Sequence, residues 1–251
     1  MTEVVSISSI DLLFSWLFIG FAAAVAWWFS IGNEIDILVA SVRALIQLML
    51  MGYVLKWLFS GFYGVYVYVA VALAIAAHNA SRYDDQRRLY SVIGCGVAIT
   101  FSVVAVLLFL RFTGIVPWKS RYLIPLLSMA LSSAMYVSAQ TVKRVVEFFK
   151  TSYSQLEWIM STGVGVIDAI KRVISPLLKI ALINRVESLR MVGLIHLPGG
   201  MTGMILMGAK LWTAVKMQLV IMYILTTTAL ISAVIYAVFY SYLILRERMY
   251  F

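Results

Sequence analysis

Long apolar segments alternate with short polar ones along most of this 251-residue chain. Stretches of about 20 apolar residues predict helices that cross a membrane. Seven such segments occur, at residues 10–30, 37–59, 61–80, 91–112, 121–141, 191–209 and 213–243. The last is long enough to tilt or to project beyond the bilayer. The pattern predicts an all-α polytopic membrane protein in which residues 1–251 form a single transmembrane domain.

The composition supports this class and gives an orientation. Hydrophobic residues make up 63% of the chain and charged residues 12%, whereas soluble domains are about half apolar and a quarter charged. The net charge of +9 does not indicate a nucleic-acid partner, because Lys and Arg accumulate in cytoplasmic loops of membrane proteins. Most of the 20 basic residues become cytoplasmic if the N-terminus is outside. We therefore expect a cell inner (plasma) membrane protein with a cytoplasmic C-terminus.

Residues 143–190 form the one long polar connection, and this orientation makes it cytoplasmic. Its apolar residues recur at helical spacing in short stretches, which predicts a helix–turn–helix arrangement. Gly163 and Gly165 separate the first helix from the second, and Pro176 begins or bends the third. The alternative is an amphipathic linker on the membrane surface, anchored by Lys171, Arg172 and Lys179.

Within this connection, Glu157, Gly163 and Pro176 have a recognisable spacing. Glu157 is followed six residues later by Gly163, and Pro176 comes further on. This spacing resembles the loop that membrane subunits of ABC importers present to their ATPase, although Trp158 and Ile159 replace its two alanines. The residues that would dock on an ATPase are Glu157, Trp158, Ser161, Gly163 and Gly165. The chain has no Gly-x-x-x-x-Gly-Lys-Ser/Thr loop, so ATP and Mg are expected on a separate partner subunit.

The sixth apolar segment is interrupted by Pro198, Gly199 and Gly200. Proline removes a backbone donor, and in lipid such a break survives only where protein or water satisfies the freed groups. Broken helices of this kind are common in transporters. The alternative is a packing kink, because Gly199 and Gly203 form a small-xxx-small pair.

Three segments resemble one known family, the FetB (YbbM) membrane subunits of bacterial iron-export ABC transporters. They are residues 41–60, 187–208 and 214–218. Plant aluminium-tolerance membrane subunits share the pattern. The resemblance implies a permease that pairs with a cytoplasmic ABC ATPase and with a second copy of itself. It also implies alternating access and the export of a small solute or metal ion such as iron, but a nucleotide sugar or an aluminium-related role is attributed to the plant proteins.

Several polar and glycine residues are candidates for a pathway or gate: Arg43, Gln47, Arg185, Glu187, Arg190, Pro198, Gly199, Gly200 and Met201. Charged side chains within a membrane usually face protein or water. Arg43 and Gln47 share one face of the second span, and Arg43 either pairs with Glu187 or extends to the interface. The cluster around Glu187 is either a gate of ion pairs or a solvated helix start.

No metal site and no catalytic residue are predicted in this chain. Met201, Met204 and Met207 recur every three residues, which suits either a soft ion or adaptable packing, and packing is favoured. Neither His78 nor His196 has a further ligand at metal-binding spacing. A secondary transporter driven by an ion gradient is the alternative function. It would be expected to bury acidic residues in mid-span, and none is found there.

Overall fold

The computed structural model of the protein describes residues 8–58 and 62–249. Within these residues the structure is helical and contains no strand, which confirms the predicted all-α class. The helices are α1 (Ser9–Trp28), α2 (Glu34–Leu58), α3 (Phe62–Ala80), α4 (Arg88–Thr113), α5 (Ser120–Thr151), α6 (Tyr153–Ser161), α7 (Val166–Ala181), α8 (Ile183–Met191), α9 (Gly199–Leu206) and α10 (Leu211–Met249). The chain divides into two compact units, residues 1–64 and 65–251.

The first unit contains α1 and α2, which pack against each other. Ser8 caps α1: its hydroxyl accepts a hydrogen bond from the Ile10 amide at 3.1 Å, and the Asp11 carboxylate accepts one from the Ser8 amide at 2.9 Å. This reciprocal capping box satisfies two amides that a helix start leaves without partners. The two helices match the first two predicted spans, although residue 59 lies outside the described residues.

The core of the second unit is formed by α4, α5 and α10. The Ser133 hydroxyl of α5 donates to the Leu225 carbonyl of α10 at 2.8 Å. Further along both helices, the rings of Phe149 and Tyr240 lie 6.1 Å apart. Residue numbers thus increase together, so α5 and α10 run parallel. The close contact is possible because α10 presents small, fully buried side chains, Ala229, Ala233 and Ala237.

Five helices of the described residues are long and apolar enough to cross a membrane: α1, α2, α4, α5 and α10. The helix α3 coincides with the predicted third span, 61–80. Two helices extend beyond their predicted ends of 141 and 243, since α5 continues to Thr151 and α10 to Met249. Val145 and Phe149 continue the buried face of α5 past Lys143, so packing against protein carries the helix beyond its lipid-like segment.

The polar connection is helical, as predicted, but its third helix begins later. Gly163 has φ +81°, and Gly165 precedes α7, so these two glycines separate α6 from α7. Pro176 lies inside α7, and the third helix, α8, begins at Ile183. The prediction for Pro176 is therefore wrong, because the buried apolar face of α7 continues through Leu178. This face packs against α5 and α10 and not against lipid.

The predicted sixth span at 191–209 is not a continuous helix. Residues 192–198 form a tight turn in which the amides of Leu194, Ile195 and His196 all donate to the Met191 carbonyl, at 3.1–3.2 Å. Gly193 permits this turn because its φ is +80°. The following α9 has eight residues and is about 12 Å long, whereas the hydrocarbon core of a bilayer is about 30 Å thick.

The chain instead returns along α5 and α10 in pieces, through residues 152–210, which we call the return segment. It begins beside Phe149, whose ring lies 6.1 Å from that of Tyr153. Asn184, in the first turn of α8, then lies beside the middle of α5, where its amide donates to the Tyr136 hydroxyl at 3.0 Å. Next, α9 packs on the first part of α10. A turn at residues 207–210 leads into α10.

Candidate functional site

The charged helix α8 lies beside the middle of α5. Its hydrogen-bonded neighbour Tyr136 is seven residues before Lys143 on α5, a distance of about 10 Å along the helix axis. No residue of α8 is fully buried. The return segment thus places Arg185, Glu187 and Arg190 at the depth of a membrane-spanning helix, where charged side chains require protein or water around them.

Two of these three charges form an ion pair. Arg190 donates to a carboxylate oxygen of Glu187 at 2.7 Å, and both side chains are partly exposed. Arg185 has no ion pair with any described residue. The cluster around Glu187 therefore belongs to a separate short helix and not to the start of a span.

Beyond the turn, the predicted break becomes the start of α9. Pro198 is buried and precedes the helix, and Gly199 and Gly200 are its first two residues. A Cβ added at Gly200 would lie 3.3 Å from the Oε1 atom of Gln218 on α10, so glycine lets the two helices approach closely. Met201 is half-buried one residue further on. Gln218 was not among the predicted site residues, although it lies in the resembling segment 214–218.

Arg43 and Gln47 lie in the first unit, on α2, and both side chains are exposed. They are four residues apart and therefore share one face of the helix, as expected. The pairing of Arg43 with Glu187 stays a prediction.

The predicted docking residues lie on and after α6. Leu156 is fully buried and anchors this short helix to the bundle. The Trp158 side chain is 70% exposed and lines an open groove together with Ser154, Gln155 and Ile159. Glu157 and Ser161 are also exposed, and Gly163 and Gly165 form the exposed connection to α7. The result is a short projecting helix whose most prominent side chain is an uncovered indole.

A buried polar cluster that was not predicted joins the connection before α4 and the start of α4 to α10. Asp84 is fully buried; its carboxylate accepts hydrogen bonds from the Arg87 amide and the Ser91 hydroxyl. Ser91 also contacts the Tyr236 hydroxyl at 2.9 Å, and Arg87 pairs with Glu247. No sequence signal marks this cluster, because Asp84 looks like an ordinary residue of a polar connection.

The described residues contain no group of three or more His, Cys, Asp or Glu side chains that could hold a metal ion. His78 lies 3.3 Å from a guanidinium nitrogen of Arg88, and His196 is exposed in the turn before α9. Met201 and Met204 are half-buried, and Met207 is 83% exposed. The exposed Met207 does not share the packing of the other two.

The fold and the charged return segment define a multi-pass helical membrane protein. Comparison with known sequences is more specific: residues 9–244 match the family described as Uncharacterised protein family (UPF0014). The chain belongs to this family, and its relatives include a FetB protein and plant proteins of the kind that it resembles.

Three relatives illustrate the range of the family. The UPF0014 membrane protein YjkA of Bacillus subtilis is 30% identical over 91% of this chain and 92% of its own. The probable iron export permease protein FetB of Escherichia coli is 30% identical over 80% and 78%, respectively. The protein ALUMINUM SENSITIVE 3 of Arabidopsis thaliana is 29% identical over 76% and 71%. No solved structure matches the chain.

Proposed function

We propose that this protein is the transmembrane permease subunit of an ATP-driven ABC transporter and exports a metal ion such as iron as a homodimer. The observation that carries the proposal is the charged helix α8 beside the middle of α5, a helix long and apolar enough to span a membrane. A permanently lipid-exposed position would be costly for its charges. A water-filled path between two copies provides the surroundings that they need.

The broken return segment supports the same function. Transporters commonly build their substrate path from discontinuous helices, whose ends lie near the middle of the membrane. Here the end of α8, the turn and the start of α9 lie together along the bundle. Pro198, Gly199, Gly200 and Met201 form the part of the path beyond the charges. Arg43 and Gln47, on α2 of the first unit, are proposed pathway residues in their own right.

The projecting helix α6 is the proposed docking site for the ATPase. An exposed tryptophan beside an open groove is a typical anchor residue, because indole rings contribute strongly to binding when a partner covers them. ATP binding would close two ATPase subunits and move α6. Phe149 contacts both Tyr153 of α6 and Tyr240 of α10, so this movement reaches the bundle directly. Alternating access follows if the two copies then reopen on the other side.

The first test is purification of the protein from its native membrane, with identification of what accompanies it. The expected result is an ATPase at one copy per copy of this chain. Trp158→Ala should lower the amount of co-purified ATPase by about tenfold or more, since an anchor residue contributes about 2 kcal/mol or more. Trp212→Ala is the matched control, because Trp212 is 72% exposed on α10, away from α6, and should change nothing.

A wild-type protein that repeatedly purifies folded and without an ATPase would overturn the proposal. Where an ATPase is present, its ATP turnover in reconstituted vesicles identifies the substrate, and ferrous iron is the first solute to try. An ATPase whose binding is equally strong with Trp158→Ala would remove α6 as the docking site but leave the class of transporter intact.

A further inference from the structure

Two cations share one aromatic ring at the corner where α3 leads into α4. A short turn, Ser81–Tyr83, joins these helices and packs against α5. The centre of the Tyr83 ring lies 4.9 Å from the Arg82 guanidinium and 5.9 Å from the Lys143 ammonium of α5. Cations within about 6 Å of an aromatic face are attracted to it. The ring therefore brings together positive charges from two separate parts of the chain.

A third cation faces the end of α3. A guanidinium nitrogen of Arg88 lies 3.3 Å from the Nε2 atom of His78. His78 is four residues before Arg82, and the chain stays helical between them, so these two residues lie on the same side. We call the exposed residues Arg82, Arg88 and Lys143 the basic corner. All three belong to the second unit.

The nearby carboxylates are committed to other partners. Asp84 is fully buried, and its carboxylate accepts a hydrogen bond from the Ser91 hydroxyl. Glu247 pairs with Arg87. The polar cluster thus turns its negative charge inward, away from the exposed cations.

The basic corner is left without a counter-charge from the described residues. None of its three cations forms an ion pair with them. The exposed carboxylates of Asp85 and Glu147 form no ion pair there either. A surface that carries several unpaired charges of one sign attracts ions of the opposite sign, so the corner suits an anion.

Apolar surface continues directly from the basic corner. Arg88 is the first residue of α4, whose length and hydropathy are those of a membrane span, so it lies at an end of that span. A Cβ added to Gly96 would lie 3.6 Å from the Cβ of Ala77, which shows that α3 and α4 touch. Beside this contact, exposed apolar side chains recur every four residues along α4 and form what we call the apolar stripe: Leu89, Ile93 and Val97.

We infer that the basic corner binds the phosphate group of an anionic phospholipid, whose acyl chains lie along the apolar stripe. Basic pockets at the ends of membrane helices are typical sites for anionic headgroups. A free phosphate ion would satisfy the cations but would make no use of the apolar residues that follow them. A phospholipid matches both, because its charge and its hydrocarbon are joined in the same order as on this surface.

Native mass spectrometry tests the inference, on protein extracted from vesicles of phosphatidylcholine mixed with phosphatidylglycerol. The wild-type protein should retain phosphatidylglycerol in preference to phosphatidylcholine. Lys143→Gln should lower this retention about fivefold, and the double variant Arg82→Gln, Lys143→Gln about tenfold or more, since each basic residue near the surface adds to the attraction. The matched control is Lys150→Gln, an exposed position two turns further along α5, which should change retention by less than about twofold.

A further variant separates the placement of the charges from their number. Tyr83→Leu keeps every charge but removes the ring that holds Arg82 and Lys143. Retention of phosphatidylglycerol should fall about two- to fivefold. The substituted side chains are all exposed, and normal elution of each variant in detergent checks that it is folded.

Three results would each overturn the inference. Equal losses for Lys143→Gln and Lys150→Gln would show an attraction to net charge and not to the corner. Equal retention of the two lipids by the wild-type protein would show that the headgroup charge is not recognised. Inorganic phosphate that displaces the lipid as effectively as added phosphatidylglycerol would assign the corner to a free anion. None of these measurements involves an ATPase, so they are independent of the proposed function.

Discussion

The helix α10 and the return segment both run along the bundle, but one is a single helix and the other consists of four short ones. The 39 residues of α10 form one rod of about 58 Å. Its buried alanines let it lie close to α5. Residues 152–210 leave charged side chains at the depth of that rod. The helix α10 is therefore a packed structural element, whereas the return segment carries polar groups that can line a path.

The helix α10 is continuous and the return segment is broken because their small residues are of different types. In α10 the small residues are alanines inside a regular helix, where they favour helix formation and close packing. In the return segment the small residues are glycines, and Gly163, Gly193 and Gly208 all have positive φ. Glycine adopts this conformation without steric cost and ends a helix there. The identity of the small residue therefore decides whether the crossing is continuous.

The largest effect is expected where α10 is tied to the connection before α4. Asp84→Ala removes the acceptor of the Arg87 amide and the Ser91 hydroxyl. Leaving buried donors without partners should lower the free energy of unfolding by about 3 kcal/mol. Unfolding in detergent measures the change. Asp85→Ala is the control, since Asp85 is exposed and should cost less than about 0.5 kcal/mol. Equal losses would show that the cluster does not hold α10.

A functional effect of intermediate size is expected in the return segment. Glu187→Gln removes the ion pair with Arg190 and should change transport without unfolding the protein. A gate that exchanges partners between two states typically contributes a coupling of about 1–3 kcal/mol, or 5- to 150-fold. Iron-dependent ATP turnover of the complex gives the readout, with Glu147→Gln, an exposed position on α5, as control. Wild-type turnover in Glu187→Gln would rule out the gate.

The smallest effect is expected at the turn itself. Gly193→Ala places a Cβ on a residue with φ +80°, which should lower the free energy of unfolding by about 1–2 kcal/mol. Gly203→Ala lies inside α9 with open space around the added atom, and it should be neutral or stabilising by up to about 1 kcal/mol. The same unfolding measurement compares both variants. A more damaging Gly203→Ala would contradict the described path of the return segment.

Hydropathy alone predicts the spans that lie on single helices, because a run of apolar residues is both the signal and the physical requirement. It fails at 191–209, where the run is equally apolar but the turn is decided by a few hydrogen bonds to Met191. Hydropathy also underestimates the length of α5, because the buried face of this helix continues where the surrounding residues become charged.

Site residues follow the same rule. Trp158 and the Glu187 cluster are visible in the sequence because their residue types are unusual in their surroundings. The depth of the Glu187 cluster in the bundle is not visible in the sequence, because it depends on the contact between Asn184 and Tyr136, which are 48 residues apart. Asp84 is invisible for the same reason, because its burial requires a residue from the far end of the chain.

The contact between the start of α4 and α10 constrains the order in which the protein can fold during synthesis. The hydroxyls of Ser91 and Tyr236 are joined across 145 residues, and chains are made at about 5–20 residues per second. For about 7–30 seconds after Ser91 emerges, the Asp84 corner has no α10 to close it. A nascent chain that stalls in this interval leaves the Asp84 carboxylate without the cover that α10 provides in the folded protein.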